Sequence, residues 1–183
     1  MKPALLGAQG ANAIQRRSFR IMLRAALTLS LFVACAPGIC AAKEMCQWLN
    51  EATAAGALDG QVTSTVKLAG KNNDDANCEF VRKQGSVVMS LDIEVETSTA
   101  PSETFATYKA RCASDSAPLR AIGNEATICS APKKKRVVSE QVVGRVRDRV
   151  FLVRITSNEK SADQAAIRQK TRKIAEQVAG YLF

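Results

Sequence analysis

VVMSLDIEVET, residues 87–97, is the stretch on which the fold turns. Val87, Met89, Leu91, Ile93 and Val95 fall on one side of an extended chain, and Val88, Ser90, Asp92, Glu94 and Glu96 fall on the other. Successive side chains of a strand point to opposite faces, so this strict alternation predicts a half-buried strand of an antiparallel sheet. Upstream, Gly85-Ser86 turns the chain back onto a strand that begins at residues 78–83, CEFVRK. Before it lies a polar turn, KNNDDAN at 71–77, and before that a short strand or extended arm over 61–69 with Val62, Val66 and Leu68. Downstream, Gly123-Asn124 precedes a short strand at 126–129. Two more follow over 137–146 and 150–156, joined at Arg147-Asp148-Arg149, with Phe151, Val153 and Ile155 on one face.

Helical periodicity appears in three places. Residues 44–59 read as a helix with Asn50 as a capping residue and Gly60 as its stop. Pro101-Ser102 opens a second over 103–112, where Phe105, Tyr108 and Cys112 share a side. Ser161, with Gln164 at the capping-box position, opens a long third helix whose stripe is Ile167, Thr171, Ile174, Val178 and Leu182. Strands therefore arrive in consecutive runs between helices. The expected class is α+β: a mainly antiparallel sheet of about five strands covered by N-terminal, central and long C-terminal helices.

The first 42 residues read as an address. They hold Lys2, Arg16, Arg17, Arg20 and Arg24, no acid, and then an apolar run over 25–36. Twelve apolar residues suit the central region of a signal peptide and are too short to span a bilayer. Pro37-Gly38 breaks the run, and Cys40 and Ala42 are small residues at −3 and −1 of a cut between Ala42 and Lys43. Met22 is an alternative start. The competing reading is lipidation at Cys35, since Phe32-Val33-Ala34-Cys35 is close to a lipobox. Export leaves residues 43–183 as a single domain, with 21 basic against 17 acidic side chains. The whole-chain charge of +9 thus falls to about +4, and most of the basic excess belongs to the leader.

After cleavage four cysteines remain, an even set that predicts two disulfides in a periplasmic or secreted domain. Three connectivities are open, of which Cys46–Cys78 and Cys112–Cys129 is preferred. Each bridge would then contribute about 3 kcal/mol in the chain-entropy model. No CxxC pair exists to support zinc, and no metal or other cofactor is expected. The chain has no histidine. That removes Ser-His-Asp and Cys-His catalysis and the commonest general base.

Two basic groups qualify as anion-binding candidates: Lys133, Lys134, Lys135 and Arg136 in a loop, and Arg145, Arg147, Arg149 and Arg154 around a hairpin. For the loop the plainer expectation is a solvated link between strands, without the interleaved aromatics that nucleic acid would need. For the arginines it is cross-strand ion pairing of Arg145, Arg147 and Arg154 with Asp92, Glu94 and Glu96. Those acids lie about 7 Å apart on alternate positions and lack a calcium loop, and Asn72-Asn73-Asp74-Asp75 lacks the following Glu. Gln141-Val142-Val143-Gly144 is near the QxVxG loop of cystatins, with Arg145 out of place.

The runs CQWLNEATAAGALDG (46–60), CEF (78–80) and AIGNEA (121–126) resemble bacterial exported domains of unknown function, similar to PsbP-like α/β sandwiches. The resemblance implies helices over an antiparallel sheet and a disulfide, and transfers no catalytic residue. The expectation is an exported, non-catalytic binding or envelope-accessory module, monomeric, acting on an envelope protein or an anionic small ligand and not on nucleic acid. Membrane contact is expected only through the leader or a lipid on Cys35. The rival readings are a small histidine-free hydrolase using carboxylates, and a cystatin-like protease inhibitor.

Overall fold

The computed structural model describes residues 45–69, 75–113, 115–132 and 137–183. The expected leader, with Cys35 and the expected cut after Ala42, most of the polar turn at 71–77, and Lys133–Arg136 lie outside these residues. In chain order the elements are α1 (Glu51–Ala57), β1 (Thr63–Ala69), β2 (Asp75–Gln84), β3 (Val87–Thr97), α2 (Pro101–Lys109), β4 (Ala117–Leu119), β5 (Glu125–Ser130), β6 (Val138–Val146), β7 (Arg149–Ser157) and α3 (Gln164–Leu182).

The strands form one sheet in the order β1-β2-β3-β7-β6-β5-β4, every neighbour antiparallel. The α+β class holds, but the expected count of about five strands is too small: there are seven. Two strands make the difference. β1 pairs with β2 over its whole length, from Thr63↔Val81 to Ala69↔Asp75, so it is a full strand and not an arm. β4 is three residues, APL, too short for alternation to register in a sequence.

All three helices differ in extent from the expectation, α1 and α3 through their caps. α1 begins only at Glu51, because the Asn50 side chain accepts from the Thr53 N–H at 2.8 Å and starts the helix there. At its other end the Gly60 N–H reaches the Ala55 carbonyl, and Asp59, not Gly60, takes the left-handed conformation with φ of 58°. α2 stops at Lys109, before Cys112. α3 is capped by Asp163, whose carboxylate accepts from the Ala165 N–H at 2.9 Å. The expected Ser161–Gln164 capping box does not form, since Gln164 turns inward to Ser130 and Glu140.

One face of the sheet carries the main core. Leu91, Ile93 and Val95 of β3, Phe151, Val153 and Ile155 of β7, and Val142 and Val146 of β6 meet Ile167, Ile174, Val178 and Leu182 of α3. Trp48, Leu49 and Leu58 close the same core from the α1 side. Burying each such side chain contributes roughly 1.5–3 kcal/mol. The opposite face has a smaller core, where Phe105 and Tyr108 of α2 cover Val143, Val150 and Leu152.

Two disulfides join Cys46 to Cys78 and Cys112 to Cys129, the preferred pairing. The first ties the segment before α1 to β2, and the second ties the chain after α2 to β5. They fit an oxidising extracellular compartment. Among the described residues no helix is long and apolar enough to cross a membrane.

Gly144 faces Phe151 across the β6–β7 pair, and the far end of the ring occupies the space a side chain would need. A Cβ at Gly144 would stand 2.2 Å from Phe151 Cζ. Gly144→Ala should therefore cost about 2–3 kcal/mol through overpacking, read as a lower urea midpoint with unchanged slope. Phe151→Leu in the same chain should recover part of that loss.

Candidate binding groove

The four hairpin arginines do not converge. Arg145 Nε donates to Glu125 Oε1 at 2.7 Å, on a cross-strand pair of β5 and β6. Arg154 donates through Nε and Nη2 to Gln141 Oε1 at 3.0 and 2.9 Å. Both lie on the α2 side of the sheet, but Gln141 and Arg145 are four residues apart on β6, about 13 Å, with the α2-covered Val143 between them. Arg147 sits in the exposed β6–β7 turn with φ of 55°, its N–H donating to Asn124 Oδ1. Arg149 shares the parity of Phe151 and so belongs to the opposite face.

The acidic row of β3 is divided among partners. Asp92 is the register partner of Arg154. Burial pushes its carboxyl above the ordinary value, with Glu79 adding to the rise and the Arg154 charge opposing it. Glu94 and Glu96 instead accept from the Tyr108 hydroxyl at 2.7 and 3.0 Å. Burial, then the bond and charge of Glu94 and of Glu96, push the Tyr108 phenol well above its usual range. It therefore stays protonated and holds α2 to the sheet. Arg111 completes the cluster, 4.3 Å over the Tyr108 ring and 3.8 Å from Glu94. Among the described residues none of the expected cross-strand ion pairs forms: Arg154 is the register neighbour of Asp92 but bonds Gln141, and Arg145 takes Glu125.

A second polar cluster was not singled out from the sequence. Glu140 points into the main core and is 0% exposed. It accepts from Gln164 Nε2 at 2.7 Å and Arg168 Nη1 at 2.8 Å, and it shares with Asp115 the single proton of the Ser130 hydroxyl, 2.7 Å away. Asp115 accepts from the Ser130 N–H at 3.0 Å, from its hydroxyl at 2.7 Å and from Arg168 at 3.1 Å. The Ser130 hydroxyl bond, the largest cause, together with its N–H and Arg168, holds the Asp115 carboxyl below its ordinary value against a smaller desolvation cost. The sequence did contain a signal: Glu140 interrupts the row Val138, Val142, Val146 that otherwise faces α3. The cluster has the residue types of a serine–carboxylate site, but Ser130 is itself buried, and these contacts bind α3, β5, β6 and Asp115 together.

An open site lies elsewhere. The segment entering α1 and the last turn of α3 enclose a groove of about 320 Å³, lined by Trp48, Leu49, Asn50, Thr53, Gln177, Gly180 and Tyr181. Its floor is apolar, and Asn50, Thr53 and Gln177 supply polar groups. Met45, Tyr181 and Phe183 are the large exposed hydrophobic side chains among the described residues, at 81%, 67% and 63%. All three belong to the two segments that form the groove.

No family model, curated protein or solved structure matches this chain. The groove's own chemistry therefore has to carry the functional reading. At this volume it stands at the lower end of ligand pockets, room for one or two side chains rather than a large cofactor. None of its lining residues was singled out as a site from the sequence. They come from opposite ends of the domain, and only the fold joins them.

The buried cluster makes two stability claims. Arg168→Met would leave Glu140 charged and unpaired, at a cost of about 3–5 kcal/mol in chemical denaturation. Glu140→Leu/Arg168→Met should lose less than the single variant. For Asp115 the depressed carboxyl contributes stability that is fully present above the ordinary carboxylate value and is lost as pH falls from there through the lowered value of the folded state. Asp115→Asn should thus be less stable than the parent chain at pH 7, with the gap closing on acidification.

Proposed function

We propose that this chain is an exported, non-catalytic binding module that holds a segment of another envelope protein in the groove between α1 and α3. The supporting observation is the groove itself, lined by Trp48, Leu49 and the exposed Tyr181, with the exposed Met45 and Phe183 close in sequence to its lining residues. Contiguous exposed apolar surface rimmed by polar groups marks interaction sites on stable domains. The recognised group is an aromatic or branched aliphatic side chain. Thr53, Gln177 and the amide nitrogen of Asn50, whose oxygen caps α1, are the lining polar groups that would bond the backbone that carries it. Four cysteines in two bridges fit the compartment that this reading requires.

Gly180 offers a direct test. Gly180 lines the groove and a Cβ there meets nothing within 4 Å, so a side chain can be added at this position without a clash at its base. A photoreactive phenylalanine analogue at Gln177, in the exported chain in cells, should give one discrete protein adduct on illumination. Gly180→Phe should abolish that adduct while leaving the melting temperature unchanged or higher, since replacing a helical glycine favours the helix. Absence of any adduct, or an adduct that survives Gly180→Phe, would sink the proposal.

A further inference from the structure

The two edges of the sheet are built differently. β4 is three residues long and contains Pro118, which has no N–H to offer a neighbour. β1 is seven residues, TSTVKLA, in unbroken register with β2, without proline, glycine or bulge. Among the described residues no strand lies beyond it. Such an edge presents a row of N–H and C=O groups able to pair with another strand, and natural sheets usually blunt one with charges, proline or a twist. Here Lys67 is the single charge. The inner row of Ser64, Val66 and Leu68 is only half-buried, with Val66 and Leu68 packed on the core from one side.

A second copy of β1 fits this edge, and the registers can be compared. Antiparallel pairing sets residues of the same face opposite one another. With Val66 opposite the second copy's Val66, the inner row continues the core, Ser64 meets Leu68, and Lys67 meets Thr65. Thr65 is itself paired with Glu79 on β2, so the outer row reads Asn77, Lys67, then the second copy's Thr65 and Glu79. Lys67 and that Glu79 are two strands apart, about 10 Å between Cα atoms, within reach of two extended side chains pointing the same way. Both residues are exposed on the outer face. Centring the pair on Thr65 would bring Lys67 toward Val81 instead, and centring it on Lys67 would set two ammonium groups face to face.

We propose that two copies of this chain pair antiparallel through β1 with Val66 on the two-fold axis, joining their sheets and exchanging two Lys67–Glu79 ion pairs. The domain is then a dimer, against the monomer expected from the sequence. A two-fold interface repeats each contact, so one favourable charge pair counts twice.

Sedimentation equilibrium on the chain recovered from an oxidising compartment, from micromolar to near-millimolar concentration, tests this. The parent chain should move from one to two copies. Thr65→Lys sets a second ammonium opposite Lys67 and should raise the dimer Kd by at least tenfold. Lys67→Glu should raise it about tenfold, and Lys67→Glu/Glu79→Lys should return it to within about threefold of the parent. All three positions are exposed on the outer face, so thermal melts should stay near the parent's. A monomer at every concentration overturns the proposal. So does a dimer indifferent to Thr65→Lys, a charge swap that fails to rescue, or a dimer that is lost instead with Tyr181→Ser in the groove.

Discussion

The ladder between β3 and β7 is the contact on which the architecture depends. It runs from Met89↔Ser157 to Thr97↔Arg149 and joins two antiparallel blocks, β1-β2-β3 and β7-β6-β5-β4, that each form from neighbouring segments. Its inward residues, Leu91, Ile93 and Val95 beside Ile155, Val153 and Phe151, are among the most deeply buried in the domain. Without it α3 would have half a sheet to cover. The apolar alternation of residues 87–97 is therefore the requirement of a strand flanked on both sides.

Polar chemistry then locks the helices onto this sheet. On one face Tyr108 anchors α2 to Glu94 and Glu96. On the other, Arg168 and Gln164 anchor α3 to Glu140. Both anchors set a donor from a helix against carboxylates on a strand. Glu140 is fully buried and costly unless fully bonded, so α3 above all is held in one register rather than merely pressed against an apolar surface. The same contacts account for acids and arginines that, read as a sequence, resemble the makings of a site.

Much of this was legible because it is periodic. Strands β2, β3, β6 and β7, the α3 stripe and the presence of two disulfides follow from alternation, spacing and parity, while the pairing observed is the preferred one of three open connectivities. What escaped was non-periodic. β4 has too few residues to show a pattern. Ser161 and Gln164 match a capping box and so mask Asp163 as the α3 cap, and only the buried Glu140 shows why Gln164 is engaged elsewhere. The groove joins residues near 50 to residues near 180, a proximity that no local pattern encodes. The arginine cluster was compact in sequence but is split in space by strand parity and by α2.

The Cys112–Cys129 bridge has a bearing on how the chain folds. β3 and β7 must find each other across the whole stretch from Thr97 to Arg149, and closing a long loop before any contact repays it is slow. Cys112 and Cys129 both lie inside that stretch, 17 residues apart. Once they are joined, the loop that the central ladder must close is effectively shorter. Oxidation early in folding thus lowers the entropic barrier to the central pairing, and a reduced chain searches longer with its apolar strands exposed.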